Sequence, residues 1–139
     1  MTFPTEQEIE FFSSEETKRI QKLCVPKVGG FARFPDGQVG VITFVFKPQS
    51  DIDGYYRTMD VNGKWSRKVW DDMKMKPIFL PHQGQLQTML EERGYRWDVG
   101  KLPDSYTATI WNDDIDLECE GPTPSIALGR ALIEVLKEE

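Results

Sequence analysis

The stretch Tyr106-Thr-Ala-Thr-Ile-Trp111, followed by Asp114-Ile-Asp-Leu-Glu-Cys-Glu120, the turn Gly121-Pro-Thr-Pro124 and an apolar run ending in Lys137-Glu-Glu139, decides the fold class. Side chains alternate faces along a strand. The second segment therefore sets Ile115, Leu117 and Cys119 on one face and Asp114, Asp116, Glu118 and Glu120 on the other. Such an apolar face has to be covered, and the next segment supplies the cover. Thr123 is a good N-cap with Pro124 at the first helical position. Ile126, Leu128, Ala131, Leu132, Val135 and Leu136 then form a broad stripe at helical period. Ala127 and Gly129 are small and should let this helix approach the sheet closely. A hairpin with one wet face beneath a helix predicts an α+β fold with an antiparallel sheet.

Upstream, residues 31–70 read as four strands in two hairpins. Phe31-Ala-Arg-Phe34 meets a Pro35-Asp-Gly37 turn, residues 39–46 are β-branched and aromatic, and Asn62-Gly63 joins residues 55–61 to 64–70. Ile78-Phe-Leu80 is a short strand or an extended lead-in. A compact helix follows with Leu86, Met89 and Leu90 on one face, stopped by Gly94; residues 97–105 read as irregular. Near the start, Pro4 suits a first helical turn and Ser13-Ser-Glu-Glu16 matches a capping box. Ile20, Leu23 and Cys24 give the second helical piece one apolar face before Pro26 and Gly29-Gly30 end it. The expectation is one α+β domain over residues 1–139, its antiparallel sheet built from hairpins and covered by helices. Its parts are a helical N-terminus over 1–24, strand hairpins over 31–80, a helix over 82–93, a hairpin over 106–120 and a C-terminal helix over 123–138.

At 139 residues such a domain buries on the order of two-thirds of its unfolded surface. Apolar residues at 39% and charged residues at 29% are a globular composition rather than a disordered one. The net charge of −6 disfavours duplex nucleic acid, whose affinity rests on neutralising phosphates, and suits a basic partner. No run approaches the roughly 18 apolar residues of a membrane span. Met-Thr-Phe-Pro-Thr-Glu-Gln-Glu at the N-terminus lacks the basic and apolar regions of a signal peptide, so a cytoplasmic location without membrane contact is expected. In that reducing setting Cys24 and Cys119 read as small buried hydrophobes.

Two blocks carry a family resemblance. The run from Tyr106 into the last helix, with Thr123, Pro124, Ala127, Arg130, Ala131 and Leu132, resembles the C-terminal part of the phage ABA-sandwich family. Phe79-Leu-Pro-His-Gln-Gly-Gln-Leu-Gln-Thr-Met-Leu90 is similar to a Gln-rich stretch of other phage and prophage proteins. Together the blocks cover residues 78–138. The resemblance implies a phage or prophage origin and a fold; it has no reaction to lend.

No motif in the chain names a reaction. Phosphate-cradling glycine runs and a Gly-x-Ser-x-Gly turn are absent. His82, the sole histidine, stands at a helix start and lacks companion ligands nearby in sequence. Gln49-Ser-Asp-Ile-Asp-Gly54 has part of a calcium-loop pattern, but residue 60 is Asp rather than the closing Glu, and a turn is the better reading. On the acidic strand, same-face carboxylates stand about 7 Å apart, too far for a compact metal cage. Gln83 and Gln87 share a helix face, and Gln85 points elsewhere.

The hairpin over 55–70 mixes Tyr55, Tyr56, Trp65 and Trp70 with Arg57, Lys64, Arg67 and Lys68. Such a mixture can stack and neutralise a single strand; alternation offers the plainer account of aromatics toward the core and cations in water. The first reading is a cytoplasmic phage- or prophage-derived accessory protein, non-catalytic, that acts through a protein partner. One alternative is a nucleotide or single-stranded nucleic-acid module with Arg57, Trp65, Arg67 and Trp70 as ligand residues. The other is an acidic decoy that occupies a host nucleic-acid-binding protein through Asp114, Asp116, Glu118 and Glu120. No catalytic residue, metal ligand or cofactor is assigned.

Overall fold

A computed structural model describes residues 3–24, 27–51, 54–69 and 77–139. In chain order the elements are α1 (Glu6–Phe12), a 3₁₀ turn (Glu15–Thr17), α2 (Lys18–Leu23), β1 (Phe31–Arg33), β2 (Val39–Phe46), β3 (Tyr55–Asp60), β4 (Trp65–Val69), β5 (Ile78–Leu80), α3 (Gln83–Glu92), β6 (Arg96–Lys101), β7 (Tyr106–Trp111), β8 (Asp116–Gly121) and α4 (Pro124–Lys137). The fold is α+β with two antiparallel sheets, and the chain forms two compact units. One comprises Met1–Phe3 and Cys24–Leu80; the other comprises Pro4–Leu23 and Pro81–Glu139.

The first unit is a five-stranded sheet in the order β4-β3-β2-β1-β5. Its two tight turns share one design. At Phe34-Pro-Asp-Gly-Gln38 the Gly37 N–H donates to Phe34 O, and at Asp60-Val-Asn-Gly-Lys64 the Gly63 N–H donates to Asp60 O. Gly37 and Gly63 have φ of 87° and 81°, so each loop is three residues closed by a left-handed glycine rather than a two-residue mirror turn. A carboxylate braces each: Asp36 accepts from the Gln38 N–H, and Asp60 accepts from those of Asn62 and Lys64. One face of this sheet buries Ala32, Phe34, Ile42 and Tyr56, with Val45 and Phe79 packed against them.

The second unit is built around α4. Ten of its fourteen residues are buried, and Arg130, Glu134 and Lys137 form the one narrow exposed stripe. A helix apolar on nearly every side needs neighbours on nearly every side. Strands β7 and β8 supply one wall, and α1, α2, α3 and the 3₁₀ turn supply the others. The Thr123 hydroxyl caps α4 by accepting from the Ile126 N–H, as the sequence implied. Arg19 donates to the Leu136 carbonyl, and Arg93 pairs with Glu139 at 2.7 Å.

Several local expectations are corrected. Residues 97–101 are not irregular, and only 102–105 form a connecting loop: β6 pairs with β7 along its full length, and the polar–apolar alternation of Arg96-Trp-Asp-Val-Gly-Lys101 is the signal that could have found it. Helix α1 begins at the Thr5–Glu8 capping box, not at Pro4. Ser14 heads the 3₁₀ turn without a side-chain cap, its hydroxyl donating back to Phe11 O instead. Leu23 is exposed, so Ile20 alone of the expected trio is a buried residue of α2; Cys24 is buried just beyond it. The helix-ending Pro26 lies outside the described residues.

Gly129 also has a different task from the expected one. A Cβ there would stand 2.9 Å from Cε1 of Phe12 and 3.0 Å from Cε2 of Phe11, so this glycine admits α1 rather than the sheet. Close helix–sheet approach depends on Gly121, whose Cβ would stand 2.7 Å from the Ala127 nitrogen. Gly129→Ala gains about 1 kcal/mol of helix propensity, but overpacking costs about 1–3 kcal/mol and the Phe12 ring, 2% exposed, has little room to yield. The variant is expected to melt below the native protein in a thermal scan; a higher Tm would show that the rings give way freely. Leu132→Asp, which puts a charge at a fully buried position of α4, is expected to abolish cooperative unfolding. An unchanged circular-dichroism melt would refute the packing of α4.

Candidate functional site

The candidate site is the second face of the five-stranded sheet, and one irregularity creates it. Along β2 a simple period of two would put Ile42, Phe44 and Phe46 together. The β2–β3 register shifts between Ile42 and Phe44, leaving Thr43 as the extra residue. Ile42 then pairs with Thr58 and Val45 with Tyr56 on the core side, whereas Phe44 pairs with Arg57 and Phe46 with Tyr55 on the other. On β4, Trp65 and Arg67 lie opposite Met59 and Arg57 and share that outer face.

The outer face of β2, β3 and β4 thus gathers Phe44, Phe46, Tyr55, Arg57, Trp65 and Arg67. Trp65 is 59% and Phe44 41% exposed. The Phe46 and Tyr55 rings stack with centroids 5.5 Å apart and 13° between planes. Arg67 lies 4.2 Å over Tyr55. Arg57 reaches both Phe44, at 5.4 Å, and Trp65, at 5.8 Å. Arg57 and Arg67 are directly opposite across the strand pair, an arrangement that like charges oppose. Among the described residues neither is in an ion pair with a carboxylate; each rests on aromatic faces instead.

Sequence reasoning selected Arg57, Trp65 and Arg67, and the structure brings these three together. Trp70 lies outside the described residues. The plainer account fails for Tyr55 and Trp65, which share the open face with Arg57 and Arg67; among the described aromatics of this hairpin Tyr56 turns to the core. Phe44 and Phe46 were missed because no local pattern marks the extra residue at Thr43. Lys68 is on the opposite face, its Nζ 4.5 Å over the Phe34 ring. Charge divides between the units as well. By sequence the first holds nine Lys and Arg against six Asp, net +3, and the second eight basic against seventeen acidic residues, net −9. The overall −6 conceals a basic unit.

The acidic row of the second unit is placed as expected for Asp116, Glu118 and Glu120, which are exposed on the outer face of edge strand β8 opposite Trp111, Thr109 and Thr107. Asp114 sits in the turn before it, where its N–H donates to Asn112 Oδ1. Among the described residues no group of three or more His, Cys, Asp or Glu could hold a metal ion. His82 caps α3: its Nδ1 accepts from the Gln85 N–H at 3.3 Å, and Gln85 Oε1 accepts from the His82 N–H at 3.0 Å. Gln85 therefore has a structural task, which accounts for part of the Gln-rich block. Cavities beside α4 measure about 140 Å³, against Ile110 and Leu117, and about 230 Å³, against Arg19 and Ile133. Both fall short of the roughly 300–1,000 Å³ of small-molecule pockets.

Among the described residues no helix is long and apolar enough to cross a membrane. No protein-family model, curated protein or solved structure matches the chain.

Both cysteines are free, and burial is the first cause that raises each thiol. Cys24 is pushed up to about 12; at Cys119, Glu134 and Glu118 add to the rise and Arg130 opposes it. Thiolate is the reactive form, so a disulfide reagent at pH 8 is expected to modify Cys119 well before Cys24. Equal rates would contradict the burial of Cys24. Above the ordinary thiol value of 9.0 the unfolded chain ionises Cys24 and the folded chain does not. Its contribution to stability is thus complete below pH 9 and lost between about 9 and 12.

Proposed function

We propose that the protein is a non-catalytic, cytoplasmic accessory protein of phage or prophage origin, and that its basic unit binds single-stranded nucleic acid on the outer face of β2, β3 and β4. The observation that carries this reading is the pair of neighbouring arginines, unpaired with any described carboxylate and set among exposed aromatic rings. Bases need π-faces and the backbone needs cations. A binding partner that brought phosphate to this face would also relieve the repulsion between Arg57 and Arg67. The charge division supports the same reading, because the face belongs to the unit with net +3. Exposed rings stack on unpaired bases, which a duplex keeps stacked inside its helix, so the single strand is the favoured form.

A protein partner is the second reading, favoured by the exposed row Asp116, Glu118 and Glu120 on an edge strand of the unit with net −9. That row suits a basic surface, including that of a host nucleic-acid-binding protein.

Fluorescence anisotropy of a labelled ten-nucleotide single strand separates the two. Binding at low salt is expected, with the duplex of the same sequence weaker. Trp65→Ala should lose about tenfold, since base stacking is worth about 1–3 kcal/mol. Replacing both arginines with alanine should flatten the salt dependence by a slope of about 1.4, two phosphates at roughly 0.7 each. Absence of binding at millimolar strand concentration in low salt would sink this function and leave the acidic row as the contact surface.

A further inference from the structure

The aromatic rings of the outer face are not equivalent, and the difference defines the ligand. Tyr55 is half-buried and the most crowded: Phe46 stacks on it at 5.5 Å, Phe44 is tilted against it at 5.7 Å and Arg67 lies over it at 4.2 Å. Trp65 and Phe44 are the two rings with large exposed surface, and they stand on β4 and β2, on either side of β3. Arg57 projects from β3 between them and reaches both. Their strands lie two spacings apart, about 10 Å, and Trp65 is displaced along the sheet as well, being opposite Met59 where Phe44 is opposite Arg57. Stacked neighbours along a nucleic-acid strand are about 3.4 Å apart. Two bases seated on Trp65 and Phe44 therefore cannot remain stacked on each other.

Resting on the single-strand reading above, we infer that the face takes a splayed step, one base on Trp65 and one on Phe44, with the intervening backbone phosphate held by Arg57 and Arg67. The ligand class follows from the work needed to open that step. Sequence preference of such platforms comes from stacking strength and backbone flexibility. A pyrimidine run, whose bases stack weakly, opens readily, whereas a purine run resists. The preferred ligand is a flexible, pyrimidine-rich single strand of at least two nucleotides. The stacked Phe46–Tyr55 pair serves as the fixed floor on which Arg67 rests.

The test compares ligands on the native protein, so it does not depend on any variant folding. Thymidine monophosphate, the thymidine dinucleotide, hexathymidylate and hexaadenylate are titrated at low salt by calorimetry or tryptophan quenching. The dinucleotide is expected to bind at least tenfold tighter than the monophosphate, and hexathymidylate at least threefold tighter than hexaadenylate. In Trp65→Ala and in Phe44→Ala the advantage of dinucleotide over monophosphate should disappear, with melting curves verifying that each variant is folded. Equal affinity for monophosphate and dinucleotide, or a preference for hexaadenylate, would overturn the splayed step while leaving single-strand binding in place. Failure of every ligand to bind would overturn both.

Discussion

Strand β2 has to serve a core and an open face within eight residues, and the extra residue at Thr43 is what allows it. Ile42 and Val45 are three apart yet both point to the core beside Thr58 and Tyr56. Without the shift in register, Phe44 and Phe46 would follow Ile42 inward and Val45 would face outward. The open face would then lose the partners that hold Arg57 and Tyr55 in place. A bulge is costly to pairing but strengthens local twist and re-aims side chains. Here it converts a strand that reads as uniformly apolar into one that is apolar on both sides for different reasons.

The second unit solves a different problem. Helix α4 is too apolar to tolerate water along most of its circumference, so strands and helices enclose most of it. Two glycines set the distances of approach, Gly121 against the backbone of α4 and Gly129 against the Phe11 and Phe12 rings. The Arg130 guanidinium, on the thin exposed stripe, donates to Glu120 O at 2.6 Å and lies 5.6 Å over the Phe11 ring. Even the polar edge of the helix is thereby tied to β8 and α1. The unit's large negative charge is carried on outer surfaces away from this core, as at Asp116, Glu118 and Glu120.

The division of charge changes how the composition should be understood. A chain with net −6 looks unsuited to phosphate, yet its basic residues are enriched where the aromatic face lies. Local charge governs a contact because exposed charges farther away than about 8–10 Å are largely screened at physiological salt. Sequence reading picked out Arg57, Trp65 and Arg67 from the mixture of rings and cations around the Asn62-Gly63 turn. It could not place Phe44 and Phe46 with them, since the phase of β2 depends on its pairing with β3. The Gln-rich block was half explained in the same way. Gln85 proved to be a capping partner of His82, a bond that requires the backbone geometry of the helix start.

The sequence by itself determined the types of element, most of their limits and the identity of the buried helix. Those features follow from local chemistry: glycine at a left-handed turn position, Thr-Pro at a helix start, apolar side chains at a period of 3.6 or 2. Only the tertiary structure decided that two sheets form, that residues 96–101 complete the smaller one, and which side of β2 meets water. Periodicity fixes how often a side chain returns to a face. Which face it returns to is set by hydrogen-bond register with a neighbouring strand, and one inserted residue reverses it.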